Sequence, residues 1–183
     1  MALLRGAVNT SDNEIARLFL IEAQTSFQRI LKRIVRCLNA LSEKDIWWRP
    51  NPASNSAGNL VLHLCGNMRQ WIISGLGGAP DVRVRDAEFT ARGPIPRRLL
   101  VAQLSGTVRS VNRALRRLPP EALARKYTIQ GFRVTGLVAA SHVYQHFSHH
   151  AGQIIYITKL LEGRDLGLTK LPPPQKKRRV GSS

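Results

Sequence analysis

Apolar side chains return every third or fourth residue from Ser11 to about Leu41: Ile15, Leu18, Phe19, Ala23, Phe27, Ile30, Leu31, Ile34, Leu38 and Leu41. An unbroken stripe of that period and length demands a long amphipathic helix with one side buried, and a helix of that kind needs partners of similar length. The chain supplies them. After "SEKDIWWRPNPASNS", a loop whose Trp47 and Trp48 are placed to close one end of the core, Ser56 is an N-cap for a second helix through "AGNLVLHLCGNMRQWIISGL". Its Leu60, His63, Leu64, Asn67 and Trp71 fall on or near one face. Residues 76 to 96 show turn chemistry and charges but no helix or strand period, so they read as a long crossover.

A third helix is expected from Pro96 to Pro119, with Leu99, Leu100, Leu104, Val108, Val111 and Leu115 inward and Arg97, Arg98, Arg109, Arg113, Arg116 and Arg117 mostly outward. "YTIQGFRVT" is a short extended link, and a fourth helix runs from about Thr135 to Leu161. The fold class is therefore all-α, a four-helix bundle with a long connection between the second and third helices.

At 183 residues the chain accommodates one domain, read here as 1–171, followed by a basic, disordered tail over 172–183. No apolar run approaches the roughly 20 residues of a membrane span, and the N-terminus lacks the features of a signal peptide, so a cytoplasmic protein without a membrane partner is expected. Cys37 and Cys65 read as buried reduced thiols. Lys plus Arg outnumber Asp plus Glu 28 to 11, a net +17 that favours acidic partners such as nucleic acid. Five of those positive charges lie in "KLPPPQKKRRVGSS", and the arginines of the third helix have no aromatic residues between them to stack on bases.

Three of the five histidines fall in "HFSHHAGQ", at 146 to 153. Side chains at i and i+4 share a helix face, so His146 and His150 can direct ring nitrogens to a single point. A third ligand must come from another helix, and His63 is the one histidine outside the fourth. A lone helical histidine is ordinarily a hydrogen-bonded core or surface residue; with the 146/150 pair facing it, a metal becomes the better account. His149 lies about 100° round the helix and is expected to face a neighbour, a dimer partner or solvent. His142 continues the stripe, but roughly 12 Å separates it from His150, which suits it to a role beside the ion or on substrate.

The segments "NSAGNLVLHLCGNMRQWIISGLGGAPDVRVRDAEF" and "HVYQHFSHHAGQIIYITKLL" resemble the DinB/YfiT-like superfamily, and within it an uncharacterised bacterial branch, over roughly residues 10 to 168. The resemblance implies an up-down-down-up four-helix bundle, a homodimer, and a divalent metal held by His63, His146 and His150. It also implies enzymes that transfer low-molecular-weight thiols or isomerise maleylpyruvate. Where similar sequences prefer an acidic residue before "RDAEF", this chain reads "VRVRDAEF".

Three neutral imidazoles leave an ion, zinc or nickel in the first instance, its full charge and an open position, as catalytic sites do. The expected function is a metal-dependent transferase or isomerase, in the first case joining a thiol to an electrophilic small molecule. Asn67, His142 and Gln153 are the candidates for orienting substrate or water. Asp86 and Glu88 are candidate acids or bases whose ordinary state would be exposed loop carboxylates. Unperturbed imidazoles would lose metal as pH falls through roughly 6 to 5. The alternative is a basic nucleic-acid-binding helical module with a structural metal.

Overall fold

The computed structural model describes residues 10–169; the tail from 172 onward, with its expected disorder, lies outside them. The described chain is mainly helical, with α1 at Thr10–Ala40, α2 at Ala57–Met68, α3 at Arg85–Thr90, α4 at Arg97–Arg117 and α5 at Gly136–Glu162. Strands β1 (Lys126–Ile129) and β2 (Phe132–Thr135) pair antiparallel between α4 and α5, so the expected extended link is a small hairpin. Among the described residues no helix is long and apolar enough to cross a membrane.

Helices α4 and α5 each pack against both α1 and α2 around one core. Phe27 of α1 meets Phe147 of α5 edge to face, with ring centroids 5.6 Å apart, and both are fully buried. Side chains of this kind each contribute about 1.5–3 kcal/mol through burial. Both cysteines are buried and free. The apolar stripes are longer than the core they serve. Ile15 and Leu18 at the start of α1 are exposed, and Leu99, expected inward, is 45% exposed because α4 turns Leu100, Leu104, Val108, Val111 and Leu115 to the core instead.

Helix α2 begins on a reciprocal cap: the Ser56 hydroxyl accepts from the Asn59 backbone N–H, and the Asn59 side chain accepts from the Ser56 backbone N–H. It continues through Arg69–Leu76 as π-helical turns, visible in the 2.9 Å bond from the Gly77 N–H to the Ile72 carbonyl five residues back. Helix α5 starts on Thr135, whose hydroxyl accepts from the Val138 N–H, and stops at Gly163 in the left-handed conformation.

The crossover differs from expectation: it contains α3, six residues long and too short to display a period. What holds it is polar. Fully buried Asn59 donates to the carbonyls of Glu88 and Ala91, both at 2.9 Å, while Arg49 donates to Asn59 at 2.6 Å and to the Phe89 and Ala91 carbonyls at 3.3 Å. A cap residue of α2 thus fastens the crossover to the helix that carries His63.

Replacing Asn59 with Ala takes the side-chain donor from the Glu88 carbonyl, the shortest acceptor from Arg49 and the reciprocal cap from α2, and should cost about 2–3 kcal/mol of stability. Urea denaturation of Asn59→Ala against wild type measures it.

Candidate metal centre

The structure brings His63 of α2 together with His146 and His150 of α5, one ring nitrogen of each lying within 4.8 Å of the others. His63 Nε2 stands 3.0 Å from His146 Nε2, and His150 Nε2 stands 3.1 Å from the same atom. Their outer nitrogens decide the tautomers. Carboxylate and amide oxygens only accept, so the 2.9 Å contact of His63 Nδ1 with Glu88 Oε2 and the 2.6 Å contact of His150 Nδ1 with Gln153 Oε1 call for a proton on each Nδ1; Arg83 Nη2, 3.1 Å from His63 Nδ1, has its shorter bond, 2.8 Å, to the same Glu88 Oε2. A neutral imidazole has one N–H, so both of these rings present an Nε2 lone pair to the centre. His146 Nδ1 is buried without a partner, so no neighbour fixes the position of its proton. Two lone pairs therefore converge on a third ring nitrogen that has at most one hydrogen to offer.

Nitrogens that each lie about 2.0–2.1 Å from one ion stand roughly 3–3.4 Å apart. The 3.0 and 3.1 Å spacings of His63 and His150 to His146 fit, and one ion held by all three would draw the His63–His150 pair, which lies within 4.8 Å, to the same spacing. These three residues could bind a metal ion.

Glu88 is the residue that sequence reasoning misplaced. Instead of an exposed loop carboxylate it is 8% exposed on α3, between His63 and Arg83, whereas Asp86 is exposed as expected. Arg83 Nε donates to Glu88 Oε1 at 2.7 Å and its Nη2 to Oε2 at 2.8 Å, while its Nη1 donates to Gln70 Oε1 at 2.8 Å. Burial alone would raise the Glu88 carboxyl, but the hydrogen bonds from Arg83 and His63 outweigh it and hold it below the usual carboxylate range. Arg83 lies in "VRVRDAEF", and it supplies the charge that keeps Glu88 ionised. The available signal was chemical: a metal-bound histidine usually gives its other N–H to a carboxylate. Phe89 packs on the His63 ring at 4.6 Å between centroids, and the Arg85 guanidinium lies 4.8 Å above the Phe89 ring.

Space for this chain of contacts exists because residue 66 is glycine. A Cβ there would collide with Glu88 Oε1 and lie 2.9 Å from Arg83 Nε. The neighbouring Cys65 thiol is pushed up to about 12 by burial, and burial likewise raises Cys37, so neither is a thiolate at neutral pH.

The remaining predicted residues flank the three. His142 is stacked at 4.1 Å on Trp71, and its Nε2 accepts from Asn67 Nδ2 at 3.4 Å. Asn67 is 4% exposed, and its Oδ1 has no partner. His149 is exposed, its ring 5.1 Å from that of His150.

Burial, then the neighbouring histidines and Arg83, depress His146 to about 3; burial also lowers His150 and His142. Proton uptake at His146 is therefore displaced to lower pH than in an ordinary imidazole.

A helical protein with three convergent imidazoles and a buried carboxylate behind one of them falls in the class of candidate metal-binding helical proteins. Over residues 14–175 the chain matches the model of the family described as "Protein of unknown function (DUF1572)", and it belongs to that family, which is associated with the DinB/YfiT-like superfamily. No curated protein matches it.

Two outcomes follow from this geometry. Gly66→Ala and Glu88→Gln should each weaken zinc binding about 10–100-fold, because the first displaces and the second neutralises the carboxylate that orients His63; competition with a chromophoric chelator measures the loss. The unfolded chain takes up a proton at His146 near pH 6.5, whereas the folded chain does so only near 3. Stability from this group is thus present above about 6.5 and lost as pH falls toward 3. Denaturation midpoints of chelator-treated protein at pH 7, 6 and 5 should fall in that order, and His146→Gln should flatten the decline.

Proposed function

We propose that this chain is a metal-dependent enzyme that transfers a low-molecular-weight thiol to an electrophilic small molecule, with His63, His146 and His150 holding one zinc or nickel ion. The observation that carries the proposal is the convergence of three Nε2 atoms, two of them fixed as lone pairs by Glu88 and Gln153. When bound by three neutral imidazoles, such an ion retains an open position and lowers the pKa of a water or thiol placed there. The chain's own buried cysteines are unsuited to the task, so the thiol comes from solution.

The protein residues position and exclude. Arg83 keeps Glu88 ionised, Glu88 and Gln153 orient their histidines, and Phe89 covers the His63 ring. Asn67 Oδ1, buried and unpartnered, is an acceptor for a substrate N–H or O–H. His142, kept neutral at pH 7 by burial, turns its lone pair to Asn67 at 3.4 Å and takes up the thiol proton on giving up that hydrogen bond. In the transfer, the thiol sulfur bonds to the electrophilic carbon and the leaving group departs with its electron pair.

The same proposal takes α1, α2, α4 and α5 as an up-down-down-up bundle, supported by the packing of α4 and α5 on both α1 and α2. It takes the exposed Ile15, Leu18 and Ile21 as part of a homodimer contact, residues 1–171 as the folding unit, and the cytoplasm as its compartment. A second function is favoured by one observation: Arg98, Arg109, Arg113, Arg116 and Arg117 are exposed along α4, a surface able to grip phosphates. Binding through it would weaken steeply with salt, which a thiol transfer would not.

Elemental analysis of wild type and the five single His→Ala proteins tests the metal assignment. Wild type should carry about one ion per chain. His63→Ala, His146→Ala and His150→Ala should each lose most of it, His149→Ala should keep it, and His142→Ala should keep metal while losing activity. Metal lost from His142→Ala but kept in His63→Ala would confine the ligands to α5 and sink the assignment.

A further inference from the structure

A cavity of about 560 Å³ lies along one flank of α5, beside the three histidines and distinct from them. Its walls include Trp48 from the loop before α2, Leu60 from α2, and His149, Gly152, Gln153 and Tyr156 from α5. Its volume is in the range of small-molecule sites, roughly 300–1,000 Å³. We propose that this cavity seats an uncharged aromatic portion of the substrate.

Three features carry the proposal. None of the lining residues is Lys, Arg, Asp or Glu, although the chain carries 28 of the first two and 11 of the last two. A cavity without fixed charge gives a charged ligand nothing to offset its desolvation, and so selects a neutral one. Trp48 and Tyr156, from separate elements, offer aromatic faces, and Leu60 adds an aliphatic wall. Gln153 supplies the polar group that fixes orientation: its carbonyl accepts from His150, and its amide N–H₂ makes no other hydrogen bond among the described residues. A ligand carbonyl or ether oxygen can therefore take a hydrogen bond from the same side chain that steadies His150.

Gln153 also fixes the relation to the metal centre. It is at once a wall of the cavity and the acceptor for His150 Nδ1–H, so a ligand seated there lies one side chain away from a candidate ligand histidine. Residue 152 leaves the cavity open. A Cβ at Gly152 would meet nothing within 4 Å, so a larger side chain there enters empty space and not the protein. The substrate role rests on the metal-enzyme proposal above, whereas binding in the cavity does not.

Acetophenone, a neutral ring with a carbonyl acceptor, is the probe, and benzoate, the same ring with a charge, is its comparison. Calorimetric titration of the full-length, zinc-treated protein should show acetophenone binding, weakened at least about 10-fold in Gly152→Leu. That variant should melt no lower than wild type, because leucine is the better helix former, and should keep its zinc. Tyr156→Ala, at an exposed position that the fold does not need, should weaken acetophenone as well, and stands in if Gly152→Leu fails to fold.

Equal acetophenone affinity in wild type and folded variants, or none in wild type up to roughly 1 mM, would overturn the proposal. So would benzoate binding that is lost in Gly152→Leu, which would make the cavity a site for anions. A halved molar mass of Gly152→Leu by light scattering would overturn it too, by showing that a second copy covers the cavity. Acetophenone bound without zinc uptake would leave the cavity standing and remove the metal proposal; zinc bound without acetophenone would do the reverse.

Discussion

The hydrogen bond from His63 to Glu88 decides what the centre of this molecule can be. With its Nδ1 proton committed outward, His63 has only a lone pair to turn toward α5, where His150, committed in the same way to Gln153, does likewise. Everything around the bond maintains it. Arg83 keeps the carboxylate charged, Gly66 leaves room for it, and Asn59 ties the carbonyl of Glu88 to the first turn of α2. The ion pair of Arg83 and Glu88 is itself buried, with side chains 4% and 9% exposed. Such a pair is a poor source of net stability, because desolvation offsets much of the attraction. Its effect is on orientation: without it, His63 would lose the partner that fixes its ring.

The long helices and the pairing of His63 with His146 and His150 were legible because both depend on regular geometry. Positions four apart share a face of α5 whatever surrounds them, and a stripe from Phe27 to Leu41 has to be buried. What escaped the sequence has no period. Helix α3 is six residues held by a side chain 26 positions before its start, and no local pattern connects Asn59 with Glu88. Glu88 stands in a charged segment, "VRVRDAEF", whose composition is that of a surface. Only tertiary packing turns it inward. Leu99 shows the opposite error, an apolar residue beside the true inward position, Leu100, that periodicity alone does not separate from it.

The two ends of the histidine stripe are chemically unlike. Toward His142 lie Trp71 and Asn67, with an unpartnered buried oxygen; toward Gln153 lies a cavity free of fixed charge. The proposed thiol transfer would place its two reactants in these different surroundings on either side of one reactive position, and the arginines that dominate the outer face of α4 take no part in either.

X-ray absorption at the zinc edge of the loaded protein counts the histidine ligands, through multiple scattering from the rigid imidazole rings. Three imidazole nitrogens at about 2.0–2.1 Å are expected, with the remaining coordination made up by light atoms. A sulfur scatterer at about 2.3 Å, or fewer than three imidazoles, would contradict the three-histidine site.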